Sequence, residues 1–216
     1  MSKAMSRRFW LKIQQILIQF DIKLRRDEVI TKASLRVIKA ISSLESPEKN
    51  DFIVQAGMLK ELVGLIAHSN KGISHFSALT CKNLARNSST ADQIVNSGLY
   101  NSLGSFFVSP HEITFAVIGL LKNIFTHCHF EADKFLLADN FLMESLVLSL
   151  QSNDWMIVKE SQEALNIAWS DQLLESSQMI LKNNLAKLGI LQILSELQTK
   201  HDVVVVREAA VKLSNP

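Results

Sequence analysis

Glycine and proline are scarce: there are 7 Gly and 3 Pro in 216 residues, where average usage would supply about 15 and about 11. So few breakers leave little room for the repeated tight turns of a sandwich, barrel or doubly wound sheet. Cysteine is scarcer still. Cys81 and Cys128 are the only two, which excludes a secreted disulfide scaffold and predicts reduced thiols in a cytoplasmic or nuclear protein. Aromatic residues make up 7%, with one Tyr, too few for a stacking platform interleaved with basic residues. Neither sign of charge dominates: 23 Lys and Arg stand against 21 Asp and Glu, a net +2, so wholesale phosphate binding is not indicated. No charge-free apolar run reaches the roughly 18 residues of a membrane span. Hydrophobic residues, by contrast, are abundant at 47%, with charged residues at 20%. That is enough for a filled core and excludes global disorder.

The first 26 residues form a unit of their own. Lys3, Arg7, Arg8 and Lys12 precede the first acid, Asp21, while Phe9, Ile13, Ile16, Leu17, Phe20 and Leu24 recur on one helical face. This periodicity predicts an amphipathic helix packing on the first repeat. An acid-free, Arg-bearing amphipathic start is also the pattern of a mitochondrial transit peptide, which stands as the minor alternative; a membrane-surface or partner-binding helix is a third.

From residue 27 to 216 the chain repeats. Apolar runs interrupted by a turn residue appear at 52–66, 93–107, 135–150 and 183–197, punctuated by Gly57, Gly98, Asn140 and Gly189. Gly and Asn accept a left-handed backbone cheaply, as a bend between helices requires. A second register of longer helical segments carries small or modest residues at Ala33, Ser77, Val117, Ser161 and Ala209. Both registers share a period of about 40–49 residues, the length range of two- and three-helix solenoid repeats. Polar stretches at 46–50, 87–90 and 109–110 are read as the loops between units, and Ser152, Asn153 and Asp154 offer N-cap side chains. The fold expected is an all-α, right-handed α-solenoid of armadillo or HEAT-like repeats: about four units after a leading partial one.

The segments VQAG (54–57), CKNLA (81–85), VNSG (95–98), LKNI (121–124), VKES (158–161) and VREAAVKLSN (206–215) resemble the armadillo repeat, and within it the importin-alpha type. That resemblance implies a concave groove in which a Trp and, one helical turn later, an Asn on the third helix of each repeat hold an extended peptide. The Trp-like positions here are Leu35, Leu79, Gly119, Glu163 and Val211, and none is Trp. Of the Asn-like positions Lys39, Asn83, Asn123, Ile167 and Asn215, three keep Asn. Without aromatic walls the stacking of a lysine stem is lost, at roughly 0.5–2 kcal/mol per site. The Asn amides can either pair with both backbone groups of a peptide or serve structurally.

Other chemistry is thin. His127, Cys128 and His129 adjoin Glu131 and Asp133, but adjacent residues cannot all converge on one ion and no second Cys or His pair exists, so no metal is expected. Cys81 holds an apolar helical slot, and Phe115 and Phe125 fall at core spacing. No nucleophile elbow, zinc-protease or phosphate-loop motif is present. The expectation is a non-catalytic scaffold or structural subunit without cofactor. Its partner is another protein, offered as an extended segment, a helix or a larger assembly, rather than nucleic acid or a small molecule. The alternative is a cargo adaptor of importin-alpha kind, which the acids Glu160, Glu163 and Glu208 near the groove would favour. The candidate partner-binding residues are Leu79, Asn83, Gly119, Asn123, Glu163 and Asn215.

Overall fold

The computed structural model describes residues 28–43, 47–103, 111–128, 140–168 and 183–200, and every regular element among them is helical. In chain order these are α1 (Glu28–Ser42), α2 (Pro47–Gln55), α3 (Leu59–Ile66), α4 (Lys71–Leu84), α5 (Ser88–Asn96), α6 (Leu99–Leu103), α7 (His111–His127), α8 (Asn140–Ser149), α9 (Trp155–Ala168) and α10 (Ile190–Lys200), with a helical turn at 183–187 before the last. The amphipathic segment 1–26, His129, Val211 and Asn215 lie outside the described residues. Among the described residues no helix is long and apolar enough to cross a membrane.

Local chemistry sets the helix ends. Pro47 opens α2, where its missing N–H removes no helical hydrogen bond. The Asn70 side chain caps α4 by accepting from the amides of Gly72 at 3.0 Å and Ile73 at 3.4 Å. Asn87 does the same for α5 through the Thr90 amide at 3.2 Å. The polar run 87–90, expected as a loop, is therefore mostly the start of a helix: its first Asn supplies the cap and the rest continues inward. Gly57, Gly98 and Gly189 take φ of +72°, +90° and +71° at bends between helices. Asn140, the fourth expected bend, is instead the first residue of α8.

The long helices of successive repeats stack side by side: α4 lies between α1 and α7, and α9 lies against α7. Shorter helices back them, α3 behind α4, α5 behind α7 and α8 behind α9. Buried hydroxyls fasten the layers, with Ser74 Oγ donating to the Ile66 carbonyl at 2.6 Å and Ser77 Oγ to that of Leu62 at 2.7 Å. One apolar core runs the length of the stack, through Ile38, Cys81, Leu121 and Leu165 at its centre. The arrangement is a right-handed α-solenoid.

Burial fixes the register between repeats. Ser77, Val117 and Ser161 are all buried, as their shared register requires, but Ala33 is exposed and Ser34 is buried in its stead. The first long helix is therefore offset by one residue from the alignment that small residues suggested. Arg36 rather than Leu35 is level with Leu79, Gly119 and Glu163, and Ala40 rather than Lys39 is level with Asn83. One residue turns a helix by about 100°, so the slip exchanges an apolar side chain for a guanidinium on that face.

Candidate functional site

Side-by-side stacking of α1, α4, α7 and α9 puts one stripe of each on a common face. On α4 that stripe contains Lys71, His75, Phe76, Leu79 and Lys82, all exposed or half-buried. The helices converge there closely enough for Lys82 on α4 to reach Glu160 on α9, passing over the intervening α7. This is the concave face.

Gly119 makes that reach possible. A Cβ at this position would lie 2.8 Å from Lys82 Cδ, so the lysine stem rests directly on the glycine. Its ammonium sits 4.1 Å from the centroid of the Phe115 ring and 3.4 Å from Glu160 Oε1. Phe115, expected in the core, is half-buried and forms the aromatic wall of this pocket. Lys122 closes it from α7, with Nζ 2.7 Å from Glu160 Oε2 and 2.8 Å from Glu163 Oε2, and Lys159 lies 3.6 Å from Glu163 Oε1. Burial lowers the Lys82 pKa from its ordinary value, with Glu160 opposing the shift and Lys122 adding to it. Burial also works against the Lys122 charge, but its hydrogen bonds and attraction to Glu160 and Glu163 outweigh it and raise the pKa.

Glu163 is held below the ordinary carboxylate value of 4.5; burial opposes this and the bonds to Lys122 and Lys159 overcome it. The stability linked to that shift is present above about pH 4.5 and is lost as pH falls through the lower folded value. Glu163→Gln should flatten the acid side of a plot of melting temperature against pH between about pH 6 and about pH 3. An unchanged acid limb would show that the network contributes nothing, as exposed ion pairs often do.

The two Asn residues reach along the stack. Asn83, 9% exposed, donates its Nδ2 to Ser42 Oγ at 3.1 Å, near the end of α1. Asn123 donates its Nδ2 to the Lys82 carbonyl at 2.8 Å, near the end of α4. Each ties its helix to the repeat before it. Leu79 lies half-buried on α4, one turn before Asn83, packed against the core. The structure thus brings five sequence candidates, Leu79, Asn83, Gly119, Asn123 and Glu163, onto one stripe or its edge. It adds Lys82, Lys122 and Phe115, which sequence reasoning did not place in the groove. A signal existed: Lys39, Lys82 and Lys122 recur 43 and 40 residues apart.

A second feature opens where α1, α4 and the start of α7 meet. A cleft of about 340 Å³ is lined by Lys32, Arg36, Lys71, Gly72, His75, Phe76, Glu112 and Ile113. Lys32 lies across Gly72 much as Lys82 lies across Gly119, its Nζ 2.7 Å from where a Cβ would stand. The Arg36 guanidinium carbon is 5.3 Å from the Phe76 ring centroid, and His75 meets the same ring edge-on. Burial lowers the His75 pKa from 6.5, with the Glu112 carboxylate and backbone opposing and Lys39 reinforcing the shift.

The thiols lie off this face. Cys81 is fully buried, its pKa pushed up to about 12 by desolvation, which leaves no thiolate at neutral pH. Cys128 Sγ donates to Asp92 Oδ1 at 3.0 Å. Among the described residues no three His, Cys, Asp or Glu side chains gather as a metal site.

No protein-family model matches the sequence, and no curated protein matches it. Solved structures match the fold. A designed armadillo repeat protein in complex with the peptide (KR)4 superposes with a TM-score of 0.77 at 20% identity, over 92% of this chain and 80% of that one. Computationally designed armadillo repeat proteins for modular peptide recognition give 0.78 at 18% identity, over 92% and 79%. An engineered protein gives 0.77 at 22% identity, over 92% and 76%. The chain has the armadillo-repeat fold.

Proposed function

We propose that this chain is a non-catalytic scaffold that binds an extended segment of another protein along the concave face of its solenoid. The observation that carries this is the continuous stripe across α1, α4, α7 and α9, on which Leu79 offers apolar surface and Asn123, its Nδ2 committed to α4, keeps its Oδ1 to accept from a peptide N–H. Two of the similar solved structures are a designed armadillo protein bound to a peptide and designs made for peptide recognition, which supports the same use of the face. The reading as an adaptor for basic cargo is disfavoured by Lys82, whose ammonium fills the pocket of Phe115 and Glu160 that a cargo lysine would need.

Selection from a displayed library of random linear peptides tests this. Leu79→Gln, which replaces the apolar side chain at the half-buried centre of the stripe by a neutral amide, should weaken selected peptides by at least tenfold. Lys60→Glu, on the exposed side of α3, should leave them unaffected. Peptides that ignore Leu79→Gln and respond to Lys60→Glu would place binding on the outer surface and end the proposal.

A further inference from the structure

The two lysines that lie across glycines differ at their far ends. Lys82 ends on Phe115 and Glu160, so its charge is answered within the chain. Lys32 ends in the cleft between α1 and α4, where neither it nor Arg36 nor Lys71 has a carboxylate partner among the described residues. Among the described residues Glu112 is the one carboxylate lining that cleft. The concave face is therefore divided. Its far half, on α7 and α9, is an acidic pocket already filled by lysines of this chain; its near half, on α1 and α4, is a cationic cleft whose positive charge exceeds what Glu112 can answer.

We infer that the cleft of Lys32, Arg36 and Lys71 receives the carboxylate side chains of an extended acidic peptide segment, and that the groove rejects a basic one. This deepens the proposed function and rests on it. Charge complementarity identifies the occupant. Three cations around an aromatic floor attract a carboxylate, and the Arg36 guanidinium, stacked on Phe76, presents a fork that matches one in two bonds. A peptide suits the face better than a polyphosphate because of what continues the stripe beyond the cleft. Leu79 offers apolar surface there, and the half-buried Asn123, its Nδ2 committed to α4, keeps its Oδ1 as an acceptor. An amide oxygen needs an N–H. A peptide backbone carries one beside each acidic side chain, whereas a phosphodiester chain carries none. A basic segment meets repulsion in the near half and finds the far pocket occupied.

Fluorescence anisotropy on the full chain tests this with labelled peptides of alternating Glu and Ala, Lys and Ala, and Gln and Ala, together with a single-stranded oligothymidine. The Glu peptide should bind at least tenfold more tightly than the other three, and lose most of its affinity between about 50 and about 500 mM salt. Lys32→Ala with Arg36→Ala should weaken it at least tenfold, while the loss of the Arg36 stacking on Phe76 lowers the melting temperature by no more than about 4 °C. Lys71→Glu, at an exposed position, should weaken it further and begin to admit the Lys peptide. Equal or tighter binding of the Lys peptide, preference for the oligonucleotide, or a Glu peptide indifferent to both variants would overturn the inference. If library-selected peptides still respond to Leu79→Gln but carry no acidic residues, the groove stands and only its charge preference fails. If they do not respond, the groove itself is wrong.

Discussion

Asn83→Ala combined with Asn123→Ala should destabilise the solenoid by about 2–4 kcal/mol. A melting temperature lower by roughly 5–15 °C is what calorimetry or circular dichroism should record. A peptide-ladder role alone would give the opposite expectation, since an amide waiting for a ligand contributes little to the free fold. The geometry explains the difference. The last four carbonyls of a helix have no intrahelical donor. Lys82 is close to the end of α4, and just beyond it the Arg86 amide bonds to the Asn83 carbonyl at 3.4 Å. Asn123, one repeat on, donates to the Lys82 carbonyl instead. Asn83 occupies the same level one repeat earlier and reaches Ser42, the last residue of α1. Removing Asn123 strands a carbonyl at a repeat junction, and removing Asn83 empties a buried amide site. The sites adjoin through Lys82 and Asn83, so the two losses should couple rather than add. Unchanged melting with weakened peptide binding would return both residues to the ligand.

The repeat period was legible because it rests on punctuation. Left-handed glycines at 57, 98 and 189 and the apolar runs between them have few other uses in a chain so poor in breakers. The register of the first repeat was not legible. Ala33 and Ser34 are both small, and only the packing of α1 on α4 decides which one is buried. The groove chemistry was illegible for a similar reason. Lys82, Gly119 and Glu160 lie on three helices, and nothing local to any of them says that one side chain crosses the second to meet the third. At Gly119 the sequence showed only a missing Trp. In the structure the same position is the floor under a lysine, so the change that removes an aromatic clamp also lets the chain fill its own pocket.

Gly57→Val should cost about 2 kcal/mol, while Gly64→Ala should add roughly 0.5–1 kcal/mol of stability. Both glycines have nothing within 4 Å of where a Cβ would stand, so neither change is decided by a clash. Backbone conformation alone separates them. Gly57 holds φ at +72° between α2 and α3, a region that a β-branched residue reaches only with strain. Gly64 sits inside α3, where alanine restricts the unfolded chain and favours the helix already present. At Gly57, Asn should cost less than Val, because its short polar side chain tolerates the left-handed region. Thermal melts of the three variants should therefore rank Gly64→Ala above the parent, then Gly57→Asn, then Gly57→Val, the last lower by about 4–8 °C. A Gly57→Val variant as stable as the parent would mean that the bend can be made with φ negative, and the left-handed glycine would no longer account for the turn between the first two short helices.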